Sequence, residues 1–164
     1  MRVLGIDPGT ELAGWGLLDL TGSRIVHVDN GVLHMRAKDL ATRLGSLYAG
    51  LDRVITEYAP AEVAVEGVFT ARNVRSALVL GHARGVALLA AARCELPVFE
   101  YPPATVKKAV SGSGRAAKDQ MQRAVQLLLA LPEAAQEDAT DALAVAYCHA
   151  ARRPAGVRAA RSRR

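Results

Sequence analysis

Arg2-Val-Leu-Gly-Ile-Asp7 is an alternating, β-favouring run that ends on a carboxylate, and Pro8-Gly9 forces a turn directly after it. Reading outward, residues 13–20 form a second strand in which Gly14 and Gly16 keep one face slim. Thr21-Gly22-Ser23 is a turn, and residues 24–33 form a third strand. Three strands joined by short turns make an antiparallel meander. Asp39 is placed to cap a helix reaching Tyr58, with Leu40, Leu44, Leu47, Leu51, Val54 and Ile55 on one face and Pro60 beyond its end. Glu62-Val-Ala-Val-Glu66 is then a short buried strand, fed by a helical crossover and therefore parallel to the first. A helix over 74–92, a strand over 97–101, helices over 104–110 and 116–129, a loop over 132–136 and a last helix over 138–151 complete the order βββαβαβααα. The fold class is α/β, a mixed five-stranded sheet with helices on both faces. No repeat and no linker precedes residue 152, so the expected division is one domain over 1–151 and a flexible Arg-rich tail over 152–164.

Composition agrees with a single packed domain. The chain has 164 residues, 51% of them hydrophobic and 23% charged, which excludes an intrinsically disordered polymer. No uninterrupted apolar run approaches the roughly 18 residues of a membrane helix, the longest being Val86–Ala92 between Arg84 and Arg93. The first residues lead straight into a strand with no hydrophobic leader. Cys94 and Cys148 form no disulfide framework and no CxxC pair. The expectation is a soluble cytoplasmic protein with no membrane partner.

Charge is segregated. Lys and Arg number 21 against 16 Asp and Glu, but six of the arginines lie at 152, 153, 158, 161, 163 and 164, where no acid occurs. A second basic concentration runs through Arg72, Arg75, Arg84, Lys107, Lys108, Arg115, Lys118 and Arg123, broken only by Glu95, Glu100 and Asp119. Such a distribution suits phosphate contacts as well as a solvated surface.

Four acids stand apart. Asp7 and Glu66 each follow an apolar strand, at the carboxyl ends where α/β sheets keep their sites. Asp138 and Asp141 share one face of the last helix, and Val145 and Cys148 continue that face, so the pair points at the protein. Helix capping and dipole compensation would also place acids at 138 and 141. Glu66 has no cation near it in sequence, and a buried unpaired carboxylate costs several kcal/mol. If the four converge, mutual repulsion demands protonation or a cation. Mg²⁺ or Mn²⁺ takes such oxygen donors, and two ions ~3.5–4 Å apart can serve phosphodiester hydrolysis.

Five segments carry a resemblance in register: Gly5-Ile-Asp-Pro-Gly-Thr10, Val65-Glu66-Gly67-Val-Phe69, Gly81-His-Ala-Arg-Gly85, Pro97-Val-Phe-Glu-Tyr101 and Asp138-Ala-Thr-Asp-Ala-Leu-Ala144. Together they resemble the RuvC family of bacterial Holliday junction resolvases, over roughly residues 1–150. The resemblance implies a ribonuclease H-like fold and four metal-binding acids at Asp7, Glu66, Asp138 and Asp141, with two Mg²⁺ or Mn²⁺ ions per site and Asp7 between them. It also implies a homodimer that grips a four-way DNA junction and makes paired nicks leaving 5′-phosphate ends, in recombination and repair. A branch-migration helicase complex would be a further partner. Phe69 matches a family aromatic that stacks on bases, although its apolar ring also suits a core plug. Lys107 and Lys118 match basic positions beside the scissile strand and serve as catalytic candidates. Arg72, Arg75, Lys108 and Arg115 join Phe69, Lys107 and Lys118 as candidate DNA contacts. Gly67 departs from the amide or acid usual after the Glu66 position, and the Arg tail lies outside the shared region.

Rival readings find less support. Asp7-Pro-Gly-Thr10 also resembles the phosphate loop of actin-like ATPases and sugar kinases, but those need two such domains, and no GxxxxGK[ST] sequence occurs. An RNA-processing nuclease would use the same acids on another substrate, and a junction-binding module would lack one of them. His27, His34, His82 and His149 show no zinc-ligand spacing and are expected to be structural or exposed.

Overall fold

A computed structural model describes residues 1–67 and 74–153. Phe69, Arg72 and the tail from residue 154 onward lie outside the described residues.

The elements follow the expected order: β1 (Arg2–Asp7), β2 (Leu12–Thr21), β3 (Arg24–His34), α1 (Leu40–Tyr58), β4 (Glu62–Glu66), α2 (Val74–Arg93), β5 (Val98–Tyr101), α3 (Pro103–Ser111), α4 (Lys118–Leu128) and α5 (Glu137–Arg152). The sheet runs β3-β2-β1-β4-β5. β1 pairs antiparallel with β2 and parallel with β4, and β5 extends the parallel half. The meander is interrupted by a bulge in the β2–β3 pairing between Leu17 and Leu18, an irregularity that strand alternation alone does not reveal.

Period-2 alternation divides the strands between two cores. Leu4, Ile6, Val63 and Val65 face α1 and α2, where they meet Leu47, Leu51, Val54, Ile55 and the Ala83–Ala87–Ala90–Ala91 face. Val3 and Ala64 face the other way, into a core completed by α3, α4 and the Leu143–Cys148 segment of α5. α1 is capped as its sequence requires: Asp39 accepts a 2.8 Å hydrogen bond from the Thr42 backbone N–H. α4 begins at Lys118 rather than 116, with Gln120 accepting from the Ala117 N–H.

Two boundaries differ from expectation. Arg152 closes α5, and Arg153 pairs with Glu62, so the first two residues assigned to the tail belong with the packed body. α2 is long and apolar enough, by length and composition alone, to cross a membrane. Counting uninterrupted apolar residues stops at Arg84 and misses this, whereas an average over the helix does not. Only 22% of its apolar window is buried, and Val74, Leu78 and Leu89 are exposed.

Candidate active site

The same alternation that builds the cores aims the acids. Val3, Gly5 and Asp7 leave β1 on the face covered by α5, and Glu62, Ala64 and Glu66 leave β4 on that face. Ile6 pairs with Val65, so Asp7 and Glu66 follow side by side at the carboxyl ends of two parallel strands. α5 reaches them because the strands beneath it lack side chains at Gly5, Gly14 and Gly16, and at the first two the helix backbone itself fills the gap. A Cβ on Gly5 would lie 2.1 Å from the Ala142 carbonyl oxygen, and one on Gly14, the β2 partner of Asp7, would lie 1.8 Å from the Asp138 carbonyl oxygen. Helix backbone therefore rests on strand backbone, and the first turn of α5 is laid beside Asp7.

Neither Asp138 nor Asp141 caps α5; the N-cap is Gln136, without a side-chain hydrogen bond. Both aspartates are half-buried, and both act on the Asp7 carboxyl. Burial raises the Asp7 carboxyl to about 8, with Asp141, Glu66 and Asp138 adding repulsion that Lys118 partly offsets. Burial likewise raises Glu66 to about 7, with Asp141 adding and Lys107 opposing. Asp141 is raised too, first by burial and then by Glu137 and Asp138, against the pull of Lys118 and Lys107. The four acids from three distant segments thus share one electrostatic neighbourhood.

Their oxygens do not form a closed cage: among the described residues, no three His, Cys, Asp or Glu side chains are gathered tightly enough to hold one metal ion. The donor set nonetheless fits a hard divalent cation. It consists of carboxylate oxygens, partly desolvated and mutually repelling, and a dication would reverse the sign of that repulsion.

The basic candidates separate into groups. Lys107 on α3 and Lys118 at the start of α4 both act on the acid cluster. The Lys118 ammonium donates to Glu137, a contact that raises its pKa. Lys118, Asp119, Gln122, Glu137, Thr140 and Asp141 line a cavity of about 180 Å³ beside the cluster. Lys108 and Arg115 are exposed around the end of α3, and Arg75 is exposed on the first turn of α2. Arg84, counted in the basic concentration, is paired with Glu100.

Sequence reasoning missed two features. Glu137, the partner of Lys118, was hidden among ordinary surface acids. The second is a buried polar cluster at the opposite end of α5. There Glu62 meets His149 Nε2 at 2.7 Å and Arg153 at 2.9 Å, while Tyr101 Oη meets His149 Nδ1 at 2.7 Å. Its available signal was parity, since Glu62 shares the face of Glu66.

Residues 3–149 match the family model described as crossover junction endodeoxyribonuclease RuvC. The chain belongs to the RuvC family. It is 60% identical to the crossover junction endodeoxyribonuclease RuvC of Syntrophotalea carbinolica, covering 92% of this chain and 94% of that one. Identity to the RuvC of Trichlorobacter lovleyi is 57%, covering 91% and 84%. Among solved structures, the fold matches Thermus thermophilus RuvC in complex with a Holliday junction substrate, with a TM-score of 0.85, 35% identity and coverage of 92% and 93%. The yeast mitochondrial Holliday junction resolvase shares the fold at a TM-score of 0.61 and 12% identity. The expected ribonuclease H-like architecture is the mixed sheet β3-β2-β1-β4-β5 with its flanking helices described above.

Proposed function

We infer that this chain is a crossover junction endodeoxyribonuclease that resolves four-way DNA junctions by paired symmetric nicks leaving 5′-phosphate ends, in recombination and repair. The observation that carries the reading is the shared field of Asp7, Glu66, Asp138 and Asp141 in a RuvC-family chain. RuvC membership implies dependence on a divalent metal; Mg²⁺ or Mn²⁺, two ions per site, is our proposal. When bound, the ions supply an activated water and neutralise charge at the leaving oxygen. Asp7, whose carboxyl feels Asp141, Glu66 and Asp138 together, would be the acid common to the site, and Glu66, Asp138 and Asp141 would supply its remaining carboxylate oxygens. Burial keeps these carboxylates from being solvated by bulk water and so favours cation capture. Lys107 and Lys118 bind the scissile phosphate and offset developing negative charge, for which Lys118 must leave Glu137.

The arginines beyond Arg153 add non-specific phosphate attraction to a nuclease domain that takes in Arg152 and Arg153, and Phe69, Arg72, Arg75, Lys108 and Arg115 contact DNA. The partner copy of a homodimer would match the two-fold junction. Support for it comes from α2, where Val74, Leu78 and Leu89 are exposed and Cβ positions at Gly81 and Gly85 face open space. A helix of a second copy would cover that stripe. A branch-migration helicase complex and the cytoplasm complete the proposed setting.

The test compares a mobile four-way junction, plain duplex and structured RNA, each with EDTA, Mg²⁺ or Mn²⁺. The expected result is metal-dependent nicking of the junction, lost by more than about 10²-fold in Asp7→Asn, beyond the loss typical of an outer-shell ligand. Junction binding should stay within a few-fold. Normal cutting by Asp7→Asn, or preference for RNA, overturns the reading.

A further inference from the structure

Two ends of α5 face opposite electrostatic situations. At its N-terminal end Asp138 and Asp141 meet Asp7 and Glu66, like charges that push the helix away from the sheet. At its C-terminal end His149 is held from both ring nitrogens, by Tyr101 and by Glu62, and Glu62 is also held by Arg153. The side chains of His149 and Glu62 are 4% and 10% exposed, and the Phe99 ring lies 4.5 Å from the imidazole. Hydrophobic packing between them is non-directional. The glycine contacts fix how closely α5 approaches, but a flat backbone-on-backbone contact resists sliding weakly. Hydrogen bonds from a fixed ring to two different strands do resist it.

The spacings agree. From Asp141 to His149 the helix rises about 12 Å, and from Glu62 to Glu66 the strand spans about 13 Å. Glu62 with His149 and Glu66 with Asp141 are therefore two rungs of one ladder between β4 and α5, and fixing the first sets the second. We propose that the Tyr101–His149–Glu62–Arg153 cluster is a positioning device that sets the axial register of α5, and through it the placement of Asp138 and Asp141 against Asp7 and Glu66. Residue His149 is a positioning residue, remote from the reacting atoms. A slip of one residue would move the aspartates by about 1.5 Å, whereas ligand distances tolerate only about 0.2 Å.

The proposal rests on the four acids being the metal ligands. Its test therefore begins by confirming that the full-length wild-type protein binds Mn²⁺ and cuts junctions; a wild type that does neither removes the reading and the proposal with it. His149→Phe keeps a ring against Phe99 but deletes both hydrogen bonds. It should weaken Mn²⁺ binding, measured by calorimetry without DNA, by about 10-fold, the lower end for outer-shell partners. The Mn²⁺ concentration for half-maximal cleavage should rise in parallel, while junction affinity in EDTA stays within two-fold. Should His149→Phe not fold, Tyr101→Phe removes one hydroxyl only and should weaken Mn²⁺ binding by about 3-fold, the effect of losing one net hydrogen bond. A variant that melts earlier yet binds Mn²⁺ like the wild type would show a merely structural cluster and overturn the proposal.

Discussion

Glu62 and Glu66 leave one strand, on one face, toward one helix, and meet opposite company. Glu62 is met by His149 and Arg153. Glu66 is met by Asp141, with Asp7 at its side, and burial raises it to about 7. A buried carboxylate with an arginine and a hydrogen-bonding ring as partners is explained by the fold that surrounds it. One surrounded by further carboxylates is explained only by something the polypeptide does not supply. Burial alone does not separate structural acids from functional ones; the sign of the neighbours does.

Substituting each glutamate in turn is the sharpest way to break this contrast. Glu66→Gln should lower junction cleavage by more than about 10²-fold and leave the metal-free protein as stable as wild type or more so, because repulsion is removed. Equal activity would show that Glu66 is no ligand. Glu62→Gln should do the reverse in emphasis. Leaving Arg153 facing a neutral amide in a largely buried site should cost about 3 kcal/mol in urea denaturation. A cost below about 1 kcal/mol would reduce the pair to a surface contact.

A smaller effect concerns pH. Asp7 at about 8 and Glu66 at about 7 are raised above their ordinary values, so the folded protein binds protons that the unfolded chain has released. Their contribution is fully present below pH 4 and is lost as pH rises through 7 and 8. In EDTA, stability should therefore fall between pH 5 and 8, and Mg²⁺ or Mn²⁺ should flatten that slope by stabilising the ionised forms. Glu66→Gln should make it shallower and Glu62→Gln should not. The smallest effect on chemistry is expected from deleting residues 154–164, which spares both glutamates and Arg153. Turnover should be unchanged, while the salt dependence of junction binding should weaken by up to about 3–4 in log–log slope, roughly 0.9 per arginine removed.

Much of this was legible without coordinates because local rules act through it. The turn at Pro8-Gly9, the Asp39 cap and strand alternation carried the element order and brought Asp7 and Glu66 to the carboxyl ends of two parallel strands. The i, i+3 spacing put Asp138 and Asp141 on one face. The Glu62–His149–Tyr101–Arg153 cluster was not legible, because it depends on how far along β4 the helix α5 lies, a relation between residues 87 positions apart. The apolar reach of α2 was hidden by one arginine, and the pairing of Lys118 with Glu137 joins two exposed side chains that carry no local pattern. Phe69, read from the resemblance, and Arg72, read from the charge distribution, lie outside the described residues.

The side chains missing from the strands beneath α5 impose a rule on permitted sequence change. At Gly16 the atoms nearest an added methyl are the Leu143 side chain, so bulk gained in the strand can be largely traded for bulk lost in the helix. At Gly5 and Gly14 the nearest atoms are peptide carbonyls, which every residue carries and none can trim. Second-site suppressors should therefore be recoverable for alanine at 16 through position 143. For alanine at 5 or 14, no substitution at 142 or 138 can restore the fit.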